Sequence, residues 1–323
     1  MRLHYSGPLP ERIGFLLLPR FSMMAFFSAV EPLRIANRIS GKALFEWRLI
    51  SLDGEPVTAS NEMTLVVDQP IGSVEMASLA LCSGFEPERH LDRALMGWLH
   101  RLDQAGCALG GLDTGGFLLA AAGLLEGERV TLHWESLPVF RERFPWLETS
   151  DELFELGERR FSCAGGAAAM DMALEMIARR HGATLAVAVS EQLIHERLRS
   201  HHDQQRMSLA RRLGSHNRRL VEAVALMERY LEEPLALAEI ARQCDVSPRQ
   251  LQRLFEHQLG ATPRQWYLNL RLERAERLLT ETGMSILAVG VACGFGSSSS
   301  FARAFKIRFG YSPTAARRQA QRR

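Results

Sequence analysis

Long apolar runs are missing from this 323-residue sequence: no stretch approaches about 18 consecutive apolar residues. The N-terminus also lacks a basic segment followed by an apolar run and a cleavage site. Membrane insertion and export are therefore not indicated, and a cytoplasmic protein is expected. Cysteine is scarce, with five residues at 82, 107, 163, 244 and 293, no Cys-x-x-Cys and no Cys/His cluster. That argues against a disulfide framework and structural zinc and for reduced thiols. His195, His201 and His202 have no Cys or carboxylate partners at ligand spacing and read as solvated polar residues, so neither metal nor cofactor is expected.

What remains is an ordinary globular composition, 46% hydrophobic and 24% charged, long enough for two domains and a large core. The formal charge of +2 hides a division. Residues 206–323 carry 20 Arg and Lys against 10 Asp and Glu, whereas residues 1–205 carry 19 against 27. A basic C-terminal part attracts phosphate, and the acidic remainder is repelled by it.

Within the basic part, Ser285 can cap a short helix with Ile286, Val289 and Cys293 on one face, which Gly294 stops. Ser297 restarts a helix with Phe301, Phe305 and Phe309 at i, i+4, i+8. Its other side carries Ser298, Ser299, Ala302, Arg303 and Lys306, small or hydrogen-bonding groups with cations, suited to a major groove. Two short helices and a turn, basic outside and aromatic inside, make a helix-turn-helix. An earlier copy is expected at Leu237–Cys244, the turn Asp245-Val-Ser, and a helix from Pro248 capped by Ser247. Its Leu251, Leu254 and Phe255 face inward, and Arg249, Gln250, Gln252 and Arg253 face outward toward DNA. Between them Trp266, Leu270, Leu272, Ala275 and Leu278 or Leu279 mark a connecting helix.

The first half alternates strands and helices. Strands are predicted at Arg12–Pro19, Phe45–Leu52, Thr64–Val67, Leu79–Cys82 and Ala108–Leu112, and helices at Met23–Ser40 and His90–Ala105, with more at Ala168–His181 and Leu185–Arg199. This is a doubly wound α/β pattern, so the ligand edge lies at the loops 19–26, 83–87 and 112–116. In Gly110-Gly-Leu-Asp-Thr-Gly-Gly a strand runs straight into a helix and Asp113 projects from the turn. Asp113 could instead cap the following helix. Aromatic residues in nearby loops, with carboxylates, favour a cation.

The quoted motifs carry two resemblances. Gly-Phe-x-Ser-x-Ser-x-Phe-x-Arg-x-Phe-Lys followed by Phe-Gly-x-Ser-Pro resembles the second helix-turn-helix of AraC/XylS-type regulators. The Asp113 turn and Val130-Thr-Leu-His-Trp are similar to the DJ-1/PfpI branch of the class I glutamine-amidotransferase fold, and Glu31-Pro-Leu-Arg, Cys163-Ala-Gly-Gly and Met170-Asp-Met are similar to regulators that carry such a domain ahead of an AraC-type one. In the DJ-1/PfpI branch the elbow residue is a nucleophilic Cys with a His about twenty positions later; Asp113 and His133 stand in those places, and Glu31 resembles the acidic residue facing the elbow. A carboxylate is a poor substitute for a thiolate, so no catalytic residue is assigned. An Asp113/His133 hydrolase tethered to DNA, and a constitutive DNA-binding protein whose first half only dimerises, are the rival readings.

The combined resemblance implies a flavodoxin-like, DJ-1-like parallel sheet domain at 1–199, a linker at 200–217 and an all-α DNA-binding domain at 218–323. In the latter the motifs fall at 235–258 and 285–309, with the connecting helix at 263–282. It further implies a regulator, an activator of catabolic genes, similar to those answering to arginine, glycine betaine or carnitine. Its expected partners are promoter DNA, a small effector, RNA polymerase and a second copy of itself. The expected ligand contacts are Phe21, Phe26, Glu31, Phe85, Asp113, Thr114, His133 and Trp134.

Overall fold

Strand β1 (Glu11–Leu17) is apolar almost throughout and is an inner strand of a seven-stranded sheet, buried on both faces as a parallel strand requires. The computed structural model describes residues 5–72, 75–196, 199–200, 202–282 and 284–322. It divides into two compact units, Met1–Arg206 and Met207–Arg323.

In the first unit the other sheet strands are β2 (Phe45–Ser51), β3 (Gln69–Pro70), β4 (Ser78–Ser83), β5 (Ala108–Asp113), β6 (Phe154–Leu156) and β7 (Arg160–Cys163). Their order is β6-β7-β5-β4-β1-β2-β3, parallel except for β6. Order reverses around β1 and β4, the place where such sheets open a crevice. Helices α1 (Met23–Ser40), α5 (Ala168–His181) and α6 (Ala183–Gln192) pack together over Phe15, Leu17 and Ala80. Helices α2 (Arg93–Gln104) and α3 (Gly116–Ala121) pack against β5. A further helix, α4, spans Leu137–Arg143.

Three sequence expectations change. Residues 64–67 do not join the main sheet: Thr64–Leu65 pairs antiparallel with Val57–Thr58 in a separate ribbon, and the sheet edge is β3. The short strands β6 and β7 were not expected, because three and four residues give too little alternation to read. Helix α6 stops at Gln192 instead of running to Arg199. His195 Nε2 lies 3.0 Å from Asp171 Oδ1, and the Arg199 guanidinium and backbone N–H also donate to Asp171, so the chain is drawn out of the helix onto a buried carboxylate. His195 is thereby a structural partner, not a solvated residue; His201 lies outside the described residues.

The second unit is helical: α7 (Leu209–Arg212), α8 (Arg218–Arg229), α9 (Leu237–Gln243), α10 (Pro248–Leu259), α11 (Pro263–Glu281), α12 (Ile286–Ala292), α13 (Ser298–Phe309) and α14 (Pro313–Arg322). The division between the two units falls within the stretch 200–217. Residues 202–206 belong with the sheet, and α7 packs on α8, where Arg212 pairs with Glu228 at 3.0 Å. The α9–α10 pair and the α12–α13 pair repeat one design: each second helix starts on a serine cap, ends on a glycine of positive φ, and is followed by a helix opening on proline.

Candidate functional site

The helix pairs form the first candidate surface. Ser247 caps α10 by accepting from Gln250 N at 3.2 Å, and Gln250 Oε1 accepts from Ser247 N at 2.8 Å. This reciprocal cap fixes the helix start. Gln250 thereby engages its own helix terminus through Oε1. Gln252 donates to Glu256 at 3.0 Å, and Arg249 and Arg253 are exposed cations on that face. Leu251 and Phe255 are buried, as the pattern requires.

On α13 Ser297 accepts from Ser300 N at 3.3 Å, while Ser298, Ser299, Arg303 and Lys306 are exposed. Phe301 and Phe305 are fully buried with ring centres 5.7 Å apart; Phe309, 4.6 Å from Phe305, is only half-buried.

Helix α11 ties both pairs down through two residues one turn apart. Tyr267 Oη donates to Tyr230 O at 2.5 Å and accepts from Leu235 N at 3.3 Å, fixing the chain between α8 and α9. Arg271 donates to Cys293 O at 2.7 Å and Gly294 O at 2.6 Å and stacks 4.3 Å over Phe295, fixing the turn between α12 and α13. A side chain at Gly294 would come within 2.6 Å of Pro234 Cδ, and its φ is +73, so glycine lets the second turn sit against the chain that enters α9. Sequence periodicity did not single out Tyr267 or Arg271, because their partners are backbone carbonyls and amides distant in the chain.

The second candidate site lies at the carboxyl ends of β4 and β5. Asp113 ends β5 at φ +62, and Ser83, the last residue of β4, is its register partner. Thr114 Oγ1 donates to Gly84 O at 2.5 Å, and Phe21 bridges to Gly84, which draws the three expected loops together. Glycine is required at 165 as well, since a Cβ there, at φ +86, would meet Asp113 Cβ at 2.9 Å. Burial and the Glu135 carboxylate push Asp113 up to about 7, opposed by a hydrogen bond with Ser22. Burial lowers His133, with Glu135 opposing. His133 N–H donates to Asp113 O at 3.3 Å, and its ring lies 5.6 Å from that of Trp134. Asp113 does not cap α3, whose N-cap is Gly115 with no side-chain bond.

Not every expected contact reaches this place. Phe21 and Phe26 are core residues, 0% and 3% exposed, packed edge to face with each other and, for Phe26, with Phe15; their faces are unavailable to a ligand. The aromatic pattern in this loop marked the hydrophobic core under the crevice. Glu31 receives Arg34 through Nε and Nη2 at 2.7 to 3.1 Å instead of standing as an unpaired acid. Phe85 is 54% exposed beneath Arg20, 4.9 Å from its ring centre. Asp113, Thr114, His133 and Trp134 remain together with Glu135 and Ser22, the latter a contact the sequence had not suggested.

An α/β unit with a perturbed carboxyl at its ligand edge, joined to two helix-turn-helix pairs with exposed arginines, defines a DNA-binding transcription regulator. Comparison with known proteins agrees. Residues 240–319 match the family model described as a helix-turn-helix domain. The HTH-type transcriptional regulator CdhR of Pseudomonas aeruginosa is 47% identical over 307 residues, covering 95% of this chain and 91% of that protein. The crystal structure of an AraC family transcriptional regulator from Pseudomonas putida superposes with a TM-score of 0.52 at 31% identity, covering 57% of this chain and 100% of that one. A THiJ/PfpI family protein from Pseudomonas syringae, 18% identical, superposes with a TM-score of 0.50 over 73% of this chain and 89% of its own, a likeness of fold alone. The chain belongs to the AraC family of helix-turn-helix transcriptional regulators, with an N-terminal DJ-1/PfpI-like domain.

Proposed function

We infer that the first unit is the sensor of this regulator and that its effector is a small nitrogenous cation of the carnitine, glycine betaine or arginine type. The observation that carries this reading is the group at the crevice: Asp113, whose carboxyl is pushed up to about 7 by burial and by Glu135, with Trp134 beside the neighbouring His133. An indole face and carboxylates suit a quaternary ammonium or guanidinium group, which the ring holds without hydrogen bonds. Asp113 in the place of a nucleophilic cysteine supports a binding role and not an enzymatic one.

In this reading Arg249 and Arg253 read bases, Ser298 and Ser299 add less selective contacts, and Arg303 and Lys306 grip phosphate. Gln252 is expected to exchange its Glu256 bond for a base or a bridging water. The regulator works in the cytoplasm as a homodimer that pairs two such surfaces on promoter DNA, and it activates catabolic genes through RNA polymerase. Among the described residues no helix is long and apolar enough to cross a membrane.

Footprinting of the purified full-length protein with and without carnitine, glycine betaine and arginine tests this, together with titration calorimetry of each. A footprint that shifts with one of them, and binding heat for the same compound, is the expected result. Identical footprints and no heat from any of the three remove the effector assignment.

A further inference from the structure

Arg206 is the last residue of the sheet-containing unit, and its guanidinium carbon lies 4.3 Å from the centre of the Trp134 ring. That is cation–π distance. Trp134 sits between His133, hydrogen-bonded through its backbone to Asp113, and Glu135, whose charge acts on both Asp113 and His133. The crevice read above as a cation site therefore already borders a cation, one supplied by this chain.

The residues before Arg206 hold it there. Gln204 bridges to Glu152 in antiparallel fashion, and His202 Nδ1 lies 3.0 Å from Glu152 Oε1. The side-chain amide of Gln205 is 2.9 Å from Thr131 Oγ1, Leu132 O and Glu152 O. Residues 202–206 thus form a strap over the segment that carries His133 and Trp134. The next residue, Met207, opens the DNA-binding unit. The covalent path between the two units begins at a side chain lying on the candidate ligand ring.

We propose that Arg206 is a built-in occupant of a cation site on Trp134, and that an organic ammonium or guanidinium metabolite displaces it and unfastens the 202–206 strap. The proposal rests on the sensor reading given above. Displacement supplies what a switch needs, a ligand that binds one of two states better than the other: the filled site with the strap loose, over the strap fastened and the ring covered. It also sets an affinity relation. If Arg206 covers the ring in about nine molecules of ten, external ligand binds roughly tenfold more weakly than it does to an uncovered ring.

Calorimetry and hydrogen–deuterium exchange on the full-length protein test this, with arginine, carnitine, glycine betaine and choline as probes. Arg206→Ala is expected to bind a probe roughly tenfold tighter than the unmodified protein, with Arg206→Lys between them. Without ligand, residues 202–208 exchange faster in Arg206→Ala, and the same probe speeds their exchange in the unmodified protein. Trp134→Ala loosens the strap and loses the probe. A probe that binds the unmodified protein and Arg206→Ala equally well, or saturates the unmodified protein without changing exchange at 202–208, overturns the strap and leaves the sensor reading standing. No heat with any probe, in either protein, overturns both.

Discussion

The carboxylate of Asp171 accepts from Arg199 Nε at 3.0 Å and Nη2 at 2.6 Å, across 28 positions of sequence. Asp171 is fully buried and also accepts the Arg199 backbone N–H, while His195 Nε2 lies 3.0 Å away. The chain leaving α6 is thereby fastened to α5, upstream of the strap that ends at Arg206.

Asp171→Ala leaves those donors facing an empty place. Because Arg199 retains some exposure, the cost is expected at the lower end for a broken buried pair, about 3 kcal/mol. Urea unfolding followed by circular dichroism reads it as a lower midpoint for the first unit. A midpoint unchanged within error contradicts the fastening role.

Asp113 gives a pH dependence whose sign can be worked out. Its folded carboxyl, at about 7, lies above the ordinary carboxylate value, so folding takes up a proton between roughly pH 4 and pH 7. Native stability therefore falls as pH rises through that window, since the unfolded chain ionises freely and the folded one does not. Asp113→Asn, which tolerates the same positive φ, is expected to flatten that slope and to gain on the order of 2 to 4 kcal/mol over the unmodified protein at pH 8. Urea midpoints at pH 4.5 and pH 8 check it; parallel slopes for the two proteins count against the shift.

Arg271→Ala removes the bonds to Cys293 O and Gly294 O that hold the second turn. A loss of roughly 2 to 3 kcal/mol is expected, and Arg271→Lys does not restore it, since an ammonium cannot match the two-pronged contact. Footprinting is the discriminating readout: protection under the second motif fades while that under the first persists. Equal loss across the whole site points to general unfolding instead.

Two exposed cations on the DNA-binding unit are expected to behave differently. Arg253→Ala costs about 1 to 3 kcal/mol on the preferred sequence and relaxes one base position. Lys306→Ala weakens all sequences alike and makes the salt slope shallower by about 1. Fluorescence anisotropy over a salt series, on preferred and scrambled duplexes, separates the two, and identical salt slopes for Lys306→Ala and the unmodified protein exclude the phosphate role.

Legibility followed the range of the interactions. The Met23–Ser40 helix, its Gly41 end and the Ser247, Ser285 and Ser297 caps were readable because cap, periodicity and stop lie within a few residues of each other. The Phe301 and Phe305 stripe was readable for the same reason. Gln250 shows where the rule stops, since the exposed position that suggested a base contact also serves a reciprocal cap, which only side-chain geometry reveals. Phe21 and Phe26 were misplaced because a loop aromatic reads alike whether it lines a crevice or fills the core below it.

Residue order alone settled the class of this protein: a basic, twice-repeated pair of capped helices behind an acidic α/β half, all of it local periodicity and charge. Tertiary structure alone decided which residues meet. It brought Glu135 and Ser22 to Asp113, Asp171 to Arg199, Arg271 to the second turn and Arg206 to Trp134, since each of those contacts joins chain segments whose separation leaves no trace in spacing or composition.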